Sequence, residues 1–198
     1  MDIALYKNIK NWANDLDGVF VIQDLRVAFH NTSSANMYRN LQALEESGDL
    51  IRIKRGCYAT PDAKLSTISA RMYPRSYISM GTVLAAHKVI GSTPERKLQA
   101  VKIGSPTSFT CRLGTIEYLS IAPKLFFGFE RKENINWATV EKAYLDACYF
   151  YYKRKTFSFD LEVDVDKSSL NQKTINQYLK KYDRRFLSFF RKTFGGND

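Results

Sequence analysis

The chain has 198 residues, 44% of them hydrophobic and 14% aromatic, with 30 Lys+Arg against 20 Asp+Glu for a formal charge of +10. That is enough apolar material for one substantial domain or two small ones, which excludes a disordered tail. The basic field points to nucleic acid, an anionic membrane surface or an acidic protein partner; no apolar run reaches the ~18 residues of a membrane-spanning helix, and no membrane partner is expected.

The excess charge is unevenly placed. Residues 1–62 carry seven basic and eight acidic groups, net −1, whereas the remaining 23 basic and 12 acidic groups give residues 63–198 a net +11. A domain boundary is therefore expected at Pro61-Asp62, giving domains 1–62 and 63–198. Leu5 to Leu16 reads as a helix, with Leu5, Ile9, Trp12, Ala13 and Leu16 on one stripe. Gly18 breaks it, Val19-Phe20-Val21 is a short strand, and Gln23 to Phe29 is a second helix. After the polar turn His30–Ser34, in which His30 is a cap or phosphate contact, Ser34 to Ser47 predicts a third helix closed by Gly48.

That third helix carries the most information. Met37, Leu41 and Leu44 recur at core spacing, and the opposite side presents Thr32, Ala35, Asn36, Arg39 and Gln42, with Ser33 at the helix start. Amides bond adenine edges, arginine bonds guanine or phosphate, and small residues permit close approach, so this pattern fits a recognition helix. Glu46 lies on the same side two turns on, where it would repel a phosphate. Leu50 to Ala59 then alternates Ile51 and Ile53 with Arg52 and Lys54, turns at Arg55-Gly56 and returns. Three helices followed by a basic hairpin form a winged helix-turn-helix arrangement, with Arg52, Lys54 and Arg55 set against phosphates or a minor groove. The same elements also build protein–protein modules that never touch DNA, and the near-neutral charge of the segment fits that alternative.

Residues 63–198 read as mixed α/β. Ala63 to Met72 is a helix, and Ser79 to Val89 another with Ser79 as its cap. Leu98–Ile103, Thr107–Leu113 and Thr115–Ile121 are strands, the last two joined as a hairpin. Trp137 to Tyr152 is a helix, and Thr174 to Phe194 a longer one ending in Gly195–Asp198, a frayed tail. The last helix bears Lys180, Lys181, Arg184, Arg185, Arg191 and Lys192, a surface for accessory DNA contact or an acidic partner.

Catalytic signals are weak. Lys142 and Asp146 stand i, i+4 and read as a surface ion pair, with Glu141 favoured by the helix dipole. Ser66, Ser69 and Ser79 lack a nucleophile elbow, and Gly104-Ser105-Pro106-Thr107 lacks the spacing and lysine of a phosphate loop. Cys57, Cys111 and Cys148 read as reduced, buried thiols of a cytoplasmic protein, and with two histidines no metal or cofactor is expected. Tyr149–Tyr152 followed by Lys153-Arg154-Lys155 is either core with a solvated end or a base-stacking platform. No enzyme activity is expected.

Several segments together resemble a known group. Arg55-Gly56 before Tyr58-Ala59 looks like a family wing motif, Tyr77-Ile78-Ser79 like a helix-opening signature, and Gly114–Tyr118 with Phe127-Gly128-Phe129 like a hairpin and its following loop. Glu141–Asp146 is similar to a glutamate-lysine-alanine helix start, with Val140 where the family often has proline. These motifs, in order, resemble the AbiEi-type antitoxins of bacterial type IV toxin–antitoxin (abortive-infection) systems. The resemblance implies a winged-helix domain that binds operator inverted repeats in double-stranded DNA, as a homodimer in one arrangement, and represses its own operon. It also implies an antitoxin-like second domain that counteracts a nucleotidyltransferase-like toxin.

Overall fold

The computed structural model describes residues 9, 11–29, 32–92, 94 and 96–195. The expected start of the first helix at Leu5, the turn residue His30 and the tail 196–198 lie outside the described residues. The protein is mixed α+β with two sheets, divided between two compact units: residues 1–74 with 108–116, and residues 75–107 with 117–198. No described helix is long and apolar enough to cross a membrane.

The first unit contains α1 (residues 11–15), β1 (Val19–Val21), α2 (Ile22–Ala28), α3 (Ser34–Glu46), β2 (Ile51–Lys54), β3 (Cys57–Ala59) and α4 (Leu65–Met72). Its three strands lie in the order β1-β3-β2, all antiparallel. Phe20, Leu25, Phe29, Met37, Leu41, Leu44, Leu50 and Tyr58 form one buried cluster against which Trp12, Ala13 and Leu16 pack. The helical stripes read from the sequence thus converge on one core. Pro61-Asp62 is a turn. Gly56, at φ +76°, supplies the left-handed residue of the β2–β3 turn, and a Cβ there would meet Ile22 at 3.3 Å.

The second unit holds β4 (Ser76–Ile78), α5 (Gly81–Ala86), β5 (Lys97–Lys102), β8 (Phe129–Lys132), β9 (Ile135–Ala138), α6 (Val140–Tyr152), α7 (Gln172–Leu179) and α8 (Arg184–Thr193). With β6 (Thr107–Cys111) and β7 (Gly114–Ser120), its strands follow the order β6-β7-β5-β4-β9-β8; the hairpin tip 108–116 belongs to the first unit. β4 and β9 run parallel, while β4–β5 and β8–β9 are antiparallel.

Four expectations are corrected here, and one element is added. Ser79 does not cap a helix: α5 begins at Gly81 after Met80 (φ +55°) and ends at Ala86, while the Ser79 hydroxyl donates to Asp146 Oδ2 at 2.8 Å. Trp137 lies in β9, not in a helix, and α6 starts at Val140, capped by Thr139, whose hydroxyl accepts from the Lys142 N–H. The β8–β9 hairpin has no counterpart in the sequence reading; its turn residues Glu133 and Asn134 both have positive φ (48° and 62°), the backbone of a tight two-residue hairpin turn. The expected helix Thr174–Phe194 is two helices, because Asp183 takes an extended backbone and accepts from the Phe186 N–H at 2.9 Å, starting α8 afresh. Finally, Cys111 is only half-buried, whereas Cys57 and Cys148 are buried, and burial pushes the Cys57 thiol up to about 11.

The aromatic run of α6 packs inward against α8. Tyr149 meets Phe186 at 5.4 Å between ring centroids, Tyr152 meets Phe189 at 5.1 Å, and Phe150 is buried. Only Tyr151 is substantially exposed, at 44%.

Candidate functional site

α3 begins where Ser33, with an extended backbone (φ −60°, ψ 150°), accepts a hydrogen bond from the Asn36 N–H at 3.3 Å. Ser33 is therefore an N-cap, a role that competes with any ligand for its hydroxyl. Ser33→Ala is expected to lower stability by about 1 kcal/mol in urea unfolding, through the lost cap. The first turn of α3 carries no acidic residue, so its N–H groups and helix dipole face an anion unopposed. Met37, Leu41 and Leu44 anchor the helix in the core, which leaves Ala35, Asn36, Arg39 and Gln42 exposed and Thr32 half-buried. The helix closes at Gly48 (φ +80°), with the Leu50 N–H returning to the Leu44 carbonyl at 3.0 Å, and the chain passes directly into β2.

In β2, Ile51 and Ile53 are buried and Arg52 is exposed, opposite Tyr58 of β3. The register shifts between Arg52 and Lys54, a bulge that re-aims the end of the strand. The three hairpin cations consequently differ. Arg52 and Arg55 line a concavity of about 660 Å³ together with Tyr38, Gln42, Glu45, Glu46 and Tyr58. Lys54 instead holds its ammonium over the rings of Tyr73, at 4.9 Å, and Phe109, at 5.1 Å. Among the described residues, no ion pair engages Arg39, Arg52 or Arg55. Burial raises the Tyr58 phenol above its ordinary value, so the ring stays neutral and its hydroxyl protonated.

Tyr38 is the residue that sequence reading passed over. It stands one position beyond the core residue Met37, yet is 42% exposed and faces the same concavity as Gln42 and Arg52. A large aromatic off the core stripe of an otherwise polar helix face is the signal that marks it.

In the second unit, Lys180, Lys181, Arg184, Arg185, Arg191 and Lys192 are all exposed, and none is in an ion pair among the described residues. They do not lie on one helix. Lys180 and Lys181 fall in the α7–α8 connection, where Lys181 sits over the Phe127 ring at 4.3 Å, and the other four decorate α8.

Lys142 and Asp146 are not a surface pair. Both side chains are 0% exposed, and Lys142 Nζ donates to Asp146 Oδ1. Asp146 Oδ2 also accepts from Tyr77 OH at 3.0 Å and Ser79 Oγ at 2.8 Å, while Tyr182 OH lies 3.4 Å from Nζ. Burial pushes the Asp146 carboxyl up and the Lys142 ammonium down, each against the opposing pull of its partner. Tyr77 and Ser79 are buried as well, so the cluster sits within the core of the second unit. Among the described residues, no group of three or more His, Cys, Asp or Glu could hold a metal ion.

The chain matches no protein-family model and no curated protein.

Proposed function

We propose that the first unit is a winged helix-turn-helix DNA-binding domain, with α3 as recognition helix and the β2–β3 hairpin as wing, in a transcriptional repressor and antitoxin of the AbiEi type. One observation supports the DNA reading: Gln42 of α3 borders the same concavity as Arg52 and Arg55, which have no ion-pair partner among the described residues, while Ala35, Asn36 and Arg39 are exposed on α3. A helix in the major groove would put Asn36, Arg39 and Gln42 at base edges, while the hairpin arginines would meet phosphates. The exposed cations of residues 180–192 would extend the footprint or meet an acidic face of a nucleotidyltransferase-like toxin.

The test is titration of the full chain against double-stranded DNA from upstream of its own coding sequence, at several salt concentrations. Binding should be sequence-selective and should weaken as salt rises. Arg39→Ala should lose about 1–3 kcal/mol of discrimination at one base pair while leaving non-specific binding in place. Selectivity that survives this change would remove Arg39 from the reading face. For the antitoxin half, co-expression with the product of the adjacent gene should rescue growth, and a failure to rescue would leave a repressor alone.

A second reading, a protein-binding module, is favoured by Glu45 and Glu46 in the same concavity, where phosphates are repelled. Absence of selective DNA binding, with the concavity protected by a protein partner, would establish it.

A further inference from the structure

We propose that the second unit binds a linear polyamine in a cavity between the 156–164 loop and the ends of α6 and α8, with ammonium groups on carboxylates and methylenes on aromatic rings. The cavity holds about 410 Å³, within the ~300–1,000 Å³ range of small-molecule sites. Tyr151, Phe157, Phe159 and Phe194 supply its rings. Phe157 stands 5.3 Å from Phe159 between centroids and Tyr151 stands 6.1 Å from Phe194, so two pairs of rings border one space. Tyr151 is the member of the α6 aromatic run left 44% exposed, which neither core packing nor DNA reading uses.

Asp160, Glu162 and Asp164 line the same cavity, within residues 63–198, where 23 basic against 12 acidic groups give a net +11. Among the described residues, no ion pair engages any of the three. Asp160 Oδ1 accepts from the Glu162 and Val163 N–H groups at 2.7 and 3.1 Å, and Asp164 Oδ2 accepts from the Asp160 N–H at 2.7 Å. These bonds brace the loop with one oxygen of each aspartate. The second oxygen of each, and both oxygens of Glu162, are left to accept from a ligand. The rings then narrow the class of cation. An aromatic ring offers a metal ion no lone pair, but attracts an ammonium group over its face and covers methylenes. Among the described residues, no acidic group converges as a metal site would. Three separate carboxylates beside apolar rings match several ammonium groups joined by short methylene chains.

The experiment is calorimetric titration of the full chain with spermidine, with n-butylamine as the single-charge control. A chain of net +10 repels polycations in general, so saturable binding reports a local site. Spermidine should bind one per chain with a Kd below ~1 mM, and n-butylamine at least about tenfold more weakly. Glu162→Gln removes a charge from an exposed residue without touching the loop bonds, and should weaken spermidine about fivefold. Tyr151→Leu should weaken it about threefold, whereas Tyr151→Phe, which keeps the ring, should bind as the unaltered protein does. Thermal unfolding without ligand checks that each variant is folded. The absence of saturable binding, n-butylamine binding as tightly as spermidine, or an unchanged affinity in either Glu162→Gln or Tyr151→Leu would each overturn the proposal.

Discussion

Asp146→Ala is expected to destabilise the second unit by about 3–5 kcal/mol. The cost arises from what the substitution leaves behind. Lys142 would remain a fully buried ammonium with only the Tyr182 hydroxyl 3.4 Å away, and Tyr77 and Ser79 would lose their common acceptor. Rings of Tyr77, Phe127 and Tyr182 lie 5.0–5.9 Å from Nζ and soften the loss without replacing the carboxylate. Removing both charges, as in Lys142→Met with Asp146→Leu, should recover part of the loss, because no buried ion is left unpaired. It should not recover all of it, since two buried hydroxyls still lack an acceptor, each costing about 1–3 kcal/mol. Adding Tyr77→Phe and Ser79→Ala to that double variant should then restore stability further. Urea unfolding of the three variants beside the unaltered protein provides the comparison. A loss below about 1 kcal/mol in Asp146→Ala would show that solvent reaches the pair.

This cluster marks where sequence reading stops. An i, i+4 Lys–Asp pair reads as a surface feature because most charged residues are solvated. What buries it is tertiary: α6 is covered by the aromatic side of α8, while Tyr77 arrives from β4 and Ser79 from just beyond its end, 69 and 67 positions before Asp146. The same limitation explains Ser79, a good cap by type whose hydroxyl is taken by a distant carboxylate. Local chemistry, in contrast, was readable. Met37, Leu41 and Leu44 did turn inward, Gly48 did end α3, and Arg55-Gly56 did turn the hairpin, since each depends on residues within one or two turns. The split at Asp183 was also locally encoded, as an N-cap residue three positions before Phe186, but the continuous amphipathic pattern on either side concealed it. Within the candidate site, the sequence separated inward from outward residues on α3. It could not sort the hairpin cations, because the rings that hold Lys54 come from Tyr73 and Phe109, 19 and 55 positions further on.

That sorting leads to a second large effect, on DNA affinity. Arg52→Ala combined with Arg55→Ala should reduce the steepness of log Kobs against log salt by about 1.8, or ~0.9 for each phosphate contact removed. Affinity at ~0.1 M salt should fall by about 10- to 100-fold, each released counterion contributing about a factor of ten at that concentration. The loss should be nearly equal on specific and unrelated duplexes, because phosphate contacts fix register without reading sequence. Lys54→Ala should behave differently although its charge is the same. Its ammonium is already held over two rings, so the salt slope should stay almost unchanged while stability falls by about 1 kcal/mol. Charge alone assigns the three cations equal parts, so the salt slopes of Arg52/Arg55 and Lys54 variants separate a hairpin that grips phosphate with two residues from one that uses all three. Equal slopes for the two variants would mean that Lys54 leaves its rings on binding, and an unchanged slope in the arginine pair would move the phosphate contacts away from the hairpin altogether.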